Sequence, residues 1–139
     1  MRMLRAIPAL PVRNITKSIE FYSGKLDFTL GYQEGGFAVL LYNDVRLIHL
    51  WEASDESWRT RNDSAPVVSG AESFIAGTAS CRIEVEGIEE LYHRIQPLGI
   101  IHSNAQLRDQ WFGVREFGVT DPDNNLVEFF EYLTDDQRQ

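Results

Sequence analysis

Apolar positions along the chain follow two periods. Ile15, Ile19, Tyr22 and Leu26 recur at i, i+4, i+7 and i+11, the spacing of a buried helical stripe, and Phe21 and Phe28 widen it. Asn14 is a good N-cap and Gly24 lies near the far end, which predicts a helix over residues 14–25. Around it the pattern is that of strands. Residues 5–12 read as a first strand, and Pro8 and Pro11 make it an edge, a crossover or a hinge, because proline has no N–H for a ladder. Strands follow at 28–34 and 37–42 around the Gly35-Gly36 turn, and at 45–52 after Asn43-Asp44. In the last of these, Val45, Leu47, His49 and Trp51 share one face because side chains alternate.

The same order then repeats. Residues 80–85 read as strand, 87–96 as helix and 98–100 as strand, with Val85 matching Val12, Ile88 matching Ile15 and Leu98 matching Leu26. A repeat unit this long is a supersecondary module that buries its apolar face only beside a twin. A strand pair over roughly 100–121 and the turn Asp121-Pro122-Asp123-Asn124-Asn125 lead to a last strand at 126–133, with Glu128, Phe130 and Tyr132 on one face. The expected fold is α+β: one domain over residues 1–139, with tandem βαβββ modules at about 4–52 and 78–133, a polar linker at 53–77 and a cleft between the modules. Trp58 in the linker is either an anchor or a lid, and Ser73-Phe74-Ile75-Ala76 could add a short ordered piece.

Composition narrows the function classes. The net charge is −8, and no basic, aromatic-interleaved patch suggests nucleic acid. The acidic balance serves solubility or favours a cationic ligand. No apolar run reaches the ~18 residues of a membrane span, and Met1-Arg2-Met3-Leu4-Arg5 does not open a signal peptide, so a cytoplasmic protein without a membrane partner is expected. The single cysteine, Cys81, sits in an apolar strand and reads as a small buried hydrophobe. Gly35-Gly36 is too short to cradle a phosphate, and no serine–histidine–acid arrangement stands out.

Two landmarks carry a family resemblance. Val12-Arg13-Asn14-Ile15, Ser18-Ile19-Glu20-Phe21-Tyr22 and Leu26-Asp27-Phe28 form one; Asp121-Pro122-Asp123-Asn124-Asn125-Leu126-Val127-Glu128 forms the other. Over about residues 4–133 the chain resembles the vicinal-oxygen-chelate superfamily, which includes glyoxalase I, extradiol dioxygenases, fosfomycin-resistance enzymes and bleomycin-resistance proteins. Its metal enzymes place ligands at four strand positions, which fall here at about Ile7, His49, Ser80 and Glu128. Ile7 cannot ligate and Ser80 is a poor ligand. His49 and Glu128 alone fall short of the usual three protein ligands, and His102 lies on a different strand. No metal and no cofactor are expected.

Within that superfamily the fragments Ala6-Ile7-Pro8-Ala9-Leu10-Pro11-Val12, Glu34-Gly35-Gly36-Phe37-Ala38-Val39-Leu40 and His49-Leu50-Trp51-Glu52-Ala53-Ser54-Asp55-Glu56, with Trp111 and Arg115-Glu116-Phe117, resemble the bleomycin-resistance proteins. The resemblance implies non-catalytic binding of a bleomycin-type drug. It makes Trp111 an aromatic plate and puts Tyr32 where that family commonly has a second plate, Phe. Phe37, His49 and Trp51 would line the same cleft. Glu128 would face it at the old ligand position, with Glu34, Asp55, Glu56 and Asp109 as further acidic candidates for a cationic tail. It also implies a C2 homodimer with clefts shared between subunits and an N-terminal arm swapped about a hinge at Pro8. Each residue has a plainer reading as well: Trp111 as core, Tyr32 as a surface strand residue, His49 as a structural histidine, Trp51 as interface, and any one carboxylate as solvated. Two other functions stay open. One is a metal-dependent lyase, transferase or isomerase using His49, Glu128 and an unusual third ligand. The other is a binder of a different cationic or aromatic molecule.

Overall fold

A computed structural model of the chain describes residues 1–53, 77 and 79–138. Asp55, Glu56, Trp58, Ser73–Ala76 and nearly all of the predicted linker lie outside the described residues. The chain divides into two compact units, Met1–Ala79 with Pro122–Asn125, and Ser80–Asp121 with Leu126–Gln139.

The first unit runs β1 (Ala9–Val12), α1 (Ile15–Gly24), β2 (Thr29–Glu34), β3 (Phe37–Tyr42) and β4 (Val45–Glu52). The sheet order is β1-β4-β3-β2, with β1 parallel to β4 and the other pairs antiparallel. Two side chains fix the start of α1: Asn14 Oδ1 accepts from Lys17 N at 3.0 Å, and Glu52 Oε2 accepts from Ile15 N at 3.1 Å. The helix buries Ile15, Phe21 and Tyr22, and Leu26 just beyond it, in a core shared with Leu10, Leu40, Ile48 and Leu50. Ile19 is only half-buried, and Ser18 takes the inner position instead. Both tight turns form as their residues require: Gly35 has φ +56°, and Asn43 and Asp44 have φ of 50° and 61°.

The first strand is shorter than its sequence suggested. It begins at Ala9, opposite His49, while Pro8 stays outside and only its carbonyl takes part, accepting from His49 N at 3.0 Å. A parallel pairing uses the N–H and C=O of alternate residues, here 8, 10 and 12, and Pro8 has no N–H to give, whereas Pro11 points away from β4 and is tolerated inside the strand. Ahead of it, Met1, Met3 and Leu4 are exposed.

The turn at 122–125 belongs to this unit. Asn125, fully buried, accepts from Gly77 N at 3.0 Å and Ala79 N at 3.3 Å through Oδ1, and donates Nδ2 to the Pro11 carbonyl at 2.8 Å. Asp123 accepts from the backbone and guanidinium of Arg13 at 3.2 and 3.3 Å.

The second unit runs β5 (Ser80–Glu84), α2 (Ile88–Ile95), a 3-10 turn (Gln96–Leu98), β6 (Arg108–Asp109), β7 (Val114–Thr120), β8 (Leu126–Tyr132) and a closing 3-10 turn (Asp135–Arg138). Its sheet order is β5-β8-β7-β6, again with the first strand parallel to the last. Two βαβββ modules in tandem are therefore present, as the repeat predicts. Ile88, Ile95, Phe117, Val119, Val127 and Phe129 make the core. The strand predicted at 98–100 does not form. Pro97 sits in a 3-10 turn and Gly99 is left-handed at φ +71°, so the chain reverses there and Ile101 makes a single bridge to Val119. Leu98 is 41 % exposed whereas its sequence match Leu26 is 2 % exposed. The predicted strand pair over 100–121 shrinks to the two residues of β6 and the whole of β7.

Candidate functional site

In each unit helix packing uses one face of the sheet. The opposite face of the first sheet carries the aromatic side chains. Register places Phe37 beside Trp51, and Val39 beside both His49 and Tyr32, so these residues share that face. Tyr32 gets there through a bulge between Leu30 and Tyr32, which shifts the pairing by one residue. Phe37 is the hub. Its ring lies 4.6 Å from Trp51, 5.2 Å from His49 in an edge contact at 90°, and 6.0 Å from Tyr32. Tyr32 is 49 % exposed, so the array opens to solvent at that end.

Polar atoms in this array are few. The Tyr32 hydroxyl donates to the Glu34 carboxylate, and that bond, reinforced by the carboxylate charge, raises the phenol pKa. Glu34 is thereby engaged locally. Burial, helped by the Arg46 charge, lowers the His49 pKa, which favours a neutral imidazole. Trp51 Nε1 is buried and has no hydrogen-bond partner among the described residues. The face is thus aromatic, with the Glu34 carboxylate at its edge and rings tilted by 38° to 90° to one another, and it offers ring faces and edges to a planar heteroaromatic group.

The second unit contributes two clusters. Trp111 and Phe112 form the tip between β6 and β7, with ring centroids 5.4 Å apart at 87°. The tip is held by Gly113, whose φ of +88° turns the chain and whose carbonyl accepts from Leu133 N at 2.9 Å. Trp111 is 93 % exposed, which removes the reading of it as a core tryptophan.

Glu128 lies on the face of the second sheet opposite its core, with Phe130 and Tyr132. It is not a free carboxylate. Arg82, its register partner on β5, donates to Glu128 Oε2 at 2.8 Å, reaches Glu116 Oε2 at 2.7 Å and stacks 4.8 Å from the Phe130 ring centroid. Arg82 and Phe130 were not among the residues singled out as binding candidates. Strand alternation could have paired Arg82 with Glu128, but only once the parallel register of β5 and β8 was known. Asp109 is likewise engaged, by Arg115.

The donor set does not fit a three-ligand metal. Ile7 has no donor atom, Ser80 offers only a hydroxyl, and Glu128 is bound to a guanidinium. His102 accepts from Asn104 N through Nδ1, in a turn of its own. Among the described residues no group of three or more His, Cys, Asp or Glu side chains is arranged to hold a metal ion. No helix among them is long and apolar enough to cross a membrane.

Comparison with known proteins places this geometry. Residues 6–129 match the model of the Glyoxalase/Bleomycin resistance protein/Dioxygenase superfamily. The bleomycin resistance proteins of Geobacillus stearothermophilus and Staphylococcus aureus are each 66 % identical to the chain over 131 residues, spanning 94 % of it and 98 % of the relative. A crystal structure of a bleomycin-binding protein complexed with bleomycin shares the fold, with TM-score 0.65 and 20 % identity over 93 % of this chain and 98 % of that one. The chain therefore belongs to the Glyoxalase/Bleomycin resistance protein/Dioxygenase superfamily and, within it, to the bleomycin resistance proteins.

Proposed function

We propose that this protein confers resistance by binding bleomycin-type glycopeptides and sequestering them, with no reaction catalysed on the drug. The observation that carries the reading is the open aromatic face of Tyr32, Phe37, His49 and Trp51, found in a chain 66 % identical to bleomycin resistance proteins. Such a drug has a flat bithiazole, a cationic tail and a polar metal-chelating head. The flat rings call for aromatic plates, and each stacked pair adds ~0.5–1.5 kcal/mol beyond the area it buries. Trp111, 93 % exposed, is a further plate open to a ligand. Glu128 and Glu116 provide the negative field that favours the tail.

In this reading two copies form a C2 dimer with the drug in clefts that both subunits line, and the arm ahead of Pro8 crosses to the partner. The exposed Met1, Met3 and Leu4 support that arm, since apolar side chains with nothing to cover them are what an exchanged segment buries. Action in the cytoplasm would intercept the drug before it reaches DNA.

Calorimetric titration of metal-stripped protein with metal-free bleomycin, in EDTA, tests the proposal. Saturable binding of one drug per chain is expected, with the drug recovered unchanged in mass. Absence of both a heat and a change in tryptophan fluorescence would overturn it, and a drug of altered mass would replace sequestration by catalysis. Light scattering at micromolar concentration is expected to give twice the 15.9 kDa chain mass.

A further inference from the structure

Arg82 occupies a constellation built for a cation. Two carboxylates from two strands, Glu116 on β7 and Glu128 on β8, converge on its guanidinium at 2.7 and 2.8 Å while the Phe130 ring lies beneath at 4.8 Å. Paired carboxylates over an aromatic face are the elements by which guanidinium and ammonium groups are recognised. The exposures are uneven. The Arg82 side chain is 40 % exposed, whereas that of Glu116 is 13 %. An exposed arginine gives up an ion pair at small cost, because water solvates it once released. Glu116 at 13 % exposure is costly to leave without a positive partner, and Glu128 at 26 % less so.

We infer that Arg82 is a specificity-determining residue: an internal cation that holds the Glu116–Glu128–Phe130 receptor until the cationic group of a ligand displaces it. The inference rests on the binding function proposed above and adds a selection rule to it. A ligand without a cation cannot replace Arg82 and gains nothing from the acidic pair. A ligand with one gains the receptor less the cost of releasing the guanidinium. The released Arg82 stays tethered on the open sheet face, so the complex holds both cations: the ligand's on the acidic pair and the guanidinium in water, which screens one from the other.

The test uses intact protein, bleomycin with its cationic tail, and bleomycinic acid, in which a free carboxylate stands in place of the tail. Arg82→Gln is expected to bind the tailed drug roughly three- to tenfold more tightly than the parent, with a steeper loss on adding salt, and to bind bleomycinic acid, whose carboxylate now faces an unopposed acidic pair, no more tightly than the parent does. An equal or weaker affinity of Arg82→Gln for the tailed drug overturns the inference, as does an equal gain for both drugs. Parent protein that binds neither drug overturns the sequestration reading and this inference with it. Parent protein that binds both while Arg82→Gln changes nothing overturns this inference alone. A measurement on the parent protein guards against misfolding of that variant. The Arg82 Nε–H resonance, assigned by its loss in Arg82→Lys, is expected to move toward free-solvent values when the tailed drug saturates the protein but not with bleomycinic acid. A resonance unmoved by the tailed drug refutes displacement.

Discussion

The Glu131 carboxylate closes the amino end of α2, accepting from Ile88 N at 3.0 Å and from Gly87 N at 3.2 Å. Gly87 stands at the N-cap with no side chain to do this itself. In the first unit Glu52 reaches Ile15 N in the same way, so the repeat extends to a carboxylate near the end of each unit's last long strand. Glu131→Ala is expected to cost about 1 kcal/mol in urea denaturation, from lost N–H partners and lost charge at the positive helix end, and Glu131→Gln less. A variant as stable as the parent would show the cap to be replaced by water.

Trp111→Ala separates binding from stability. With almost no buried surface to lose, the side chain contributes little to folding, so the melting temperature is expected to hold within a degree or two. Bleomycin affinity is expected to fall by at least ~1–2 kcal/mol, as for aromatic hot spots. A titration unchanged from the parent would remove Trp111 from the site.

Asn125→Ala should do the reverse of a site variant. The substitution strips partners from two backbone N–H groups and a carbonyl that its amide now serves. A loss of about 2–4 kcal/mol is expected in chemical denaturation. A loss below that range would mean that water enters to replace the amide.

Asp109 predicts an acid-side dependence. The Arg115 hydrogen bonds, at 2.6 and 3.1 Å, lower its pKa from the ordinary 3.8. A carboxyl whose folded pKa is depressed contributes stability above the unfolded value and loses it as pH falls through the folded one. Parent protein should therefore lose stability faster than Asp109→Asn below about pH 4, by a few tenths of a kcal/mol because the pair is solvent-screened. Parallel melting curves of the two over that range would remove the effect.

Cys81 is expected to be inert while the protein is folded. Burial, with smaller contributions from the charges of Asp121 and Glu128, pushes its thiol pKa up to about 11, so thiolate is scarce at neutral pH. A chromogenic disulfide reagent should titrate one thiol only after denaturant is added. Prompt reaction in native buffer would contradict the burial of this strand.

Local chemistry made much of the fold legible. Both ends of β3 and the start of β4 follow from the turn residues beside them, and the matched isoleucines Ile15 and Ile88 both open helices. What the sequence hid depends on partners far along the chain. The start of β1 is set by its parallel register with β4, and Leu98 stays outside because Pro97 and Gly99 turn the backbone before a strand can begin. The candidate site divides similarly. Alternation alone put His49 and Trp51 on one face. Placing Tyr32 there needed a bulge that no local residue pattern announces, and the partner of Glu128 needed a cross-strand register.

The parallel closing strand also sets an order in time. Strands β2, β3 and β4 are joined by two-residue turns and can zip locally, whereas β1 must wait for the strand it lies beside, which comes last in the module. The first strand to be synthesised is thus expected to dock only after β4 is in place. Phe37, His49, Trp51 and Tyr32 all lie on the locally connected strands β2, β3 and β4, so none of the side chains of the aromatic face is supplied by the strand that has to wait.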